Sequence, residues 1–124
     1  MAIKRPIVSE IGNDIYLVDE FGLDCMFIVC GTRFALVVDT GMGYHDFRAT
    51  VREITDLPLI VVCTHGSIDH TGGWDQFDEV YLSEIAWDRG RRVKDFIERK
   101  KSDGRMLRGP IISCSIVCEC TVYY

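Results

Sequence analysis

No stretch of this sequence stays apolar long enough to cross a bilayer. Runs such as CMFIVC and LIVVC stop after five or six residues, where a spanning helix needs about 20. The opening MAIKRPIVSE carries two basic residues but no apolar run behind them, so no secretory signal is expected and the expected location is cytoplasmic. Glycine and proline are not in excess, and there is no internal repeat, linker or low-complexity tract. Disordered and fibrous classes are thereby excluded. Histidine is scarce, with three in 124 residues.

Cysteine is not scarce, but what usually accompanies it is missing. Six cysteines stand at positions 25, 30, 63, 114, 118 and 120 without an export signal, so they are read as reduced. Cys25, Cys30 and Cys63 lie in apolar runs and act as small hydrophobes. Cys114, Cys118 and Cys120 do not have a zinc-site spacing. Along a strand they would share one face, and packing is their expected role.

What remains is an ordinary globular composition, 48% hydrophobic and 27% charged, enough for one modest core. A single domain over 1–124 is expected. The net charge of −5 is uneven, because residues 89–108 hold nine Lys/Arg against three Asp/Glu and the rest carries −11. The basic stretch is expected to be a solvated helix face, and nucleic acid is not an expected partner of so acidic a chain.

The apolar pattern predicts DIYLVDE, CMFIVC and FALVVD as a β-meander with a turn at GTR. The last two runs are nearly continuous, so both faces of those strands are expected to be covered. After the glycine-broken DTGMGY the period changes. Phe47, Val51 and Ile54 recur at helical spacing, which predicts an amphipathic helix ended by Asp56, Leu57 and Pro58. LIVVC reads as a strand buried on both sides and EVYLS as a short strand. Ser83 is a plausible cap for a helix reaching toward Lys101, and IISCSIVCECTVYY is β-prone. The expected class is α/β, with a mixed sheet and helices on one face.

The chemistry gathers where LIVVC ends, in THGSIDHTGG from Thr64 to Gly73. A loop at the carboxyl end of a buried parallel strand is the usual place for a site in such a sheet. His65, Asp69 and His70 supply imidazole and carboxylate donors that suit zinc, manganese or iron. Gly72 and Gly73 allow close backbone approach.

THGSIDHTGG resembles T-H-x-H-x-D-H-x-G-G, the signature of the metallo-β-lactamase superfamily. Upstream, NDIYLVDEFGLDCMFIVCGTRFALVVDTGMG is similar to the family's opening meander and Asp-Thr-Gly turn. The resemblance covers about 11–101, and the β-prone tail over 109–124 is atypical. It implies one αβ half of an αββα sandwich. It also implies that His65 is a ligand of a first metal, that Asp69 and His70 are ligands of a second, and that Asp39 braces the loop by hydrogen bonds. Thr64, Ser67, Gly72 and Gly73 would support them. The family uses one or two metals, commonly zinc, to make hydroxide available and polarise an ester, amide, thioester or phosphoester bond. The carboxylate of Asp69 would orient that nucleophile.

Two departures from the family matter. Ser67 stands where the signature has its second histidine, and a hydroxyl is outside the usual zinc ligand set. Inherited and engineered origins are equally compatible with it. The further metal ligands that the family carries in its second half also have no counterparts here, since the remaining histidine, His45, is expected on the surface. The expectation is therefore a metal-dependent hydrolase fold with weak or absent activity in this chain alone. The zinc site, if manganese or iron does not replace it, would be of doubtful occupancy. The alternative is a non-catalytic dimeric αβ module with weak or no metal binding. Half a sandwich leaves an apolar sheet face open, so a homodimer or domain-swapped dimer is expected.

Overall fold

Every strand of the sheet lies beside its neighbour in sequence. The computed structural model describes residues 5–83 and 111–113. Over these the strands are β1 (Ile7–Gly12), β2 (Ile15–Glu20), β3 (Asp24–Cys30), β4 (Ala35–Val38), β5 (Leu59–Val62), β6 (Val80–Leu82) and β7 (Ile111–Ser113). Their order in the sheet is β1-β2-β3-β4-β5-β6-β7. The first four are antiparallel, and β4 through β7 are parallel. This is the mixed α/β arrangement the sequence predicts, with the meander and both later strands in place.

The parallel half needs crossovers, and helix α1 (Phe47–Ile54) carries the one from β4 to β5. Asp46 caps it by accepting a hydrogen bond from the Ala49 amide at 3.0 Å. That bond satisfies one of the amides left open at a helix start. Phe47 and Val51 face inward, as their spacing predicts, and are fully buried. They pack on Val18, Met26, Ile28, Val37 and Val61 to form the core.

The opposite sheet face corrects an expectation. Leu17, Phe27, Val29, Leu36 and Val38 are only half-buried, and Ile60 is exposed. Alternate side chains of β3, β4 and β5 therefore pack against helix on one side and, among the described residues, meet no second layer on the other. The continuous apolar runs do not indicate two covered faces in this structure.

Strand β1 was not legible in the sequence pattern. All six of its residues are exposed, so it carries no in-out alternation. The local signal is the Asn13-Asp14 pair between two β-prone runs, with Asp14 at φ +57° in a tight hairpin. His45 also departs from the surface position expected of it. Its ring is 9% exposed and pairs with the fully buried Glu20. Edge contacts with the rings of Phe21 and Phe47 enclose it.

The helix expected from Ser83 toward Lys101, the basic stretch and the three C-terminal cysteines lie outside the described residues. Only Ile111–Ser113 of the β-prone tail is described, as β7. Among the described residues no helix is long and apolar enough to cross a membrane.

Candidate metal centre

β4 and β5 run parallel and end side by side, and their exits build the site. Asp39 follows β4 and Thr64 follows β5. Asp39 is 5% exposed and adopts φ +65°, a left-handed conformation that Asp tolerates better than most residues. Its Oδ1 accepts from the Thr64 amide at 2.7 Å and from Thr64 Oγ1 at 2.9 Å. Its Oδ2 lies 2.7 Å from His70 Nδ1. A carboxylate can only accept, so His70 Nδ1 carries a proton toward Asp39, and Nε2 is the nitrogen turned toward Asp69. One side chain thus ties together both strand ends and the histidine beyond them.

The segment after β5 turns into a short helix, α2 (Ile68–Thr71), where the sequence suggested only loop. Ser67 is its N-cap residue, but the hydroxyl makes no capping hydrogen bond. The Ser67 carbonyl instead accepts from the amides of His70 and Thr71, both at 3.0 Å. The half-buried Ser67 side chain supplies no capping hydrogen bond to this turn.

His65, Asp69 and His70 are brought together. One ligand atom from each lies within 4.8 Å of the other two. The His65 and His70 ring centroids are 3.9 Å apart, and His70 Nε2 is 3.1 Å from Asp69 Oδ2. His65 Nδ1 is 3.1 Å from Thr64 Oγ1, which leaves its Nε2 for other partners. Two imidazoles and one carboxylate on a common point match the ligand types of a catalytic zinc site. The Asp39–His70 bond is the outer contact that fixes such an imidazole. The donor set therefore fits a divalent cation, with His65 exposed and the other two half-buried.

The glycines hold the loop from behind. A Cβ on Gly72 would meet the Met42 carbonyl at 2.4 Å, and one on Gly73 would meet the Thr40 carbonyl at 2.4 Å. Thr40 returns the contact, donating to the His70 carbonyl from its amide at 2.8 Å and its hydroxyl at 2.9 Å. The backbone of 40–43 is thus laid directly on that of 70–73.

Two groups near this loop were not singled out in the sequence. Glu20 accepts the Met42 amide at 2.8 Å through Oε1 and pairs with His45 Nδ1 at 2.5 Å through Oε2. It anchors the 40–45 loop from the meander side. Asp24, opposite Glu20 in the hairpin register, is the other. Burial, then the like charges of Glu20 and Asp69, raise its pKa to about 6, and His70 offsets part of that rise. No spacing rule signals either residue, because both come from a hairpin far from the motif in sequence. Cys63, just before Thr64, is fully buried, and burial pushes its thiol up to about 12. It is a packing residue rather than a nucleophile.

Comparison with known proteins agrees with this fold. The family model for the metallo-beta-lactamase superfamily matches residues 18–90. No curated protein is significantly similar to the chain in sequence. Among solved structures, TMB-1 aligns with a TM-score of 0.60 at 21% identity, covering 74% of this chain and 49% of its own. DIM-1 metallo-beta-lactamase aligns at 0.58 and 22% identity, covering 75% and 49%. The metallo-beta-lactamase from Pontibacter korlensis aligns at 0.55 and 22% identity, covering 81% and 50%. The chain spans about half the length of each. A family match over more than half its residues, on a sheet of the same fold, places this chain in the metallo-beta-lactamase superfamily.

Proposed function

We propose that this chain is the metal-binding half of a metal-dependent hydrolase, with His65, Asp69 and His70 as its cation ligands. The observation that carries the reading is their convergence within 4.8 Å beside an Asp39 that fixes one imidazole. Zinc suits this donor set best, and manganese and iron are the alternatives. A bound metal would supply Lewis acidity and a nucleophile at neutral pH. The substrate would be an ester, amide, thioester or phosphoester.

The protein's own groups have defined tasks in this reading. Asp39 orients His70 and pins Thr64. Asp69, next to His70 and half-buried, both ligates and orients the attacking oxygen. Thr64 holds the His65 ring, while Gly72 and Gly73 let the 40–43 backbone support the loop. Ser67 contributes a hydroxyl where the family signature has an imidazole. Three protein ligands then serve one ion, and hydrolysis by this chain alone is weak or absent.

The part-exposed apolar face of β3, β4 and β5 supports a dimeric state. Phe27, Leu36, Val38 and Ile60 form an apolar surface of the kind that marks an interface. In this chain by itself a second copy would cover it. Light scattering tests this, and a folded monomer at micromolar concentration would sink it.

Metal analysis of purified protein tests the main reading. Stoichiometric zinc, manganese or iron that raises the melting temperature supports it. Protein that takes up no metal after incubation, and whose melting is indifferent to chelator, leaves the non-catalytic αβ module as the answer.

A further inference from the structure

Asp24 is the first residue of β3, and its two carboxylate oxygens are sealed from solvent without a well-formed hydrogen bond among the described residues. It stands opposite Glu20 across the β2–β3 hairpin, so two carboxylates share the buried face of the sheet. Glu20 is satisfied by the Met42 amide and by His45. The Met42 amide donates to Glu20 Oε1 at 2.8 Å, and its pull on Asp24 is the weakest of the influences there. A sealed carboxylate without a donor carries a desolvation cost that its like-charged neighbour increases.

The end of β3 that holds Asp24 lies at the metal-centre edge of the sheet. Phe27 pairs with Val38 at the end of β4, so Asp24 extends past it toward the exit where Asp39 begins. Helix α2, which carries Asp69 and His70, packs against β3. Asp24 feels Asp69 as a like charge and His70 as an opposite one. Its oxygens are not among the convergent ligand atoms of His65, Asp69 and His70.

From this placement we propose that Asp24 is a positioning carboxylate of the metal centre, whose unpartnered charge compensates a divalent cation held by His65, Asp69 and His70. The inference rests on the metal-binding reading above. It gives a reason for an otherwise unfavourable group: Asp24 is electrostatically unsatisfied in the metal-free protein and satisfied when a cation sits beyond it. It acts through charge and not as a ligand.

Zinc titration of the full chain against a chromogenic chelator tests this with Asp24→Asn, which keeps the shape and removes the charge. Asp56→Asn, at an exposed position outside the site, makes the same change of charge. D24N is expected to bind zinc roughly tenfold more weakly than wild type, as outer groups of metal sites do. At the same time metal-free D24N should unfold at higher urea than wild type, and D56N should match wild type in both respects. A merely structural Asp24 would lower stability instead, and that result overturns the proposal. So does zinc affinity unchanged in D24N while wild type binds. If wild type itself takes no zinc, the metal reading fails on the wild-type titration alone, and this inference falls with it.

Discussion

Asp39 Oδ2 and His70 Nδ1 are 2.7 Å apart, although 31 residues separate them in sequence. That single bond joins the exit of β4 to the helix that follows β5, and it sets which ring nitrogen of His70 is available to a cation. The same carboxylate holds both the amide and the hydroxyl of Thr64. Replacing Asp39 by Ala removes these acceptors at once and leaves the Thr64 amide without its partner. A stability loss of about 1–3 kcal/mol is expected, measured by urea unfolding. Zinc affinity should fall roughly 10- to 100-fold, measured by chelator competition.

Ser67 offers the opposite test. Its hydroxyl caps nothing, so Ser67→His sacrifices no side-chain hydrogen bond while adding an imidazole two residues after His65. Tighter zinc binding than wild type is the expected outcome, by tenfold or more where a fourth protein ligand is gained. Unchanged affinity in a folded variant would mean that this turn does not hold the family's ligand geometry.

Gly72 should not tolerate a side chain. A Cβ there would lie 2.4 Å from both the carbon and the oxygen of the Met42 carbonyl, and a backbone wedged between strand exits cannot move aside cheaply. Gly72→Ala should cost roughly 1–3 kcal/mol or more, with zinc affinity falling alongside as the 40–43 backbone lifts away from His70. Thermal unfolding and the same competition assay read both.

The pH profile of the metal-free protein should carry a mark of Asp24. Its folded pKa of about 6 lies above the ordinary carboxylate value of 3.8, so between those values the folded state binds more proton than the unfolded one. Its contribution to stability therefore declines as pH rises from near 4 through 6, opposite in sign to a salt-bridged carboxylate. In Asp24→Asn that decline should be absent. Urea midpoints across the range, wild type against variant, show it as a difference in slope.

The parts of this structure that depend on neighbours in sequence were legible. The short apolar, β-prone runs marked β2 through β5, and Phe47, Val51 and Ile54 marked the face of α1. The motif from Thr64 to Gly73 named the three residues that converge, because a strand exit and a glycine pair fix so short a loop. What failed to show depended on partners distant in sequence. His45 is a polar residue at a predicted helix start, and only the fold reveals that buried Glu20 draws it inward. Asp24 reads as the polar beginning of an apolar strand, and only the hairpin register sets it beside Glu20. Strand β1, exposed throughout, has no burial rhythm to detect. The LIVVC run looked buried on both sides because its composition cannot say which face a second layer will cover.

The sheet order has a consequence for how the chain comes to be folded. From β1 to β6 each new strand docks on the one made just before it, and the longest link, from Val38 to Leu59, carries α1 within it. Such short-range pairing is favourable for rapid folding. A ribosome releasing this polypeptide could have the meander assembled before the histidine turn leaves the exit tunnel, so the cradle formed by Asp39 and Thr40 would be waiting when His70 arrives.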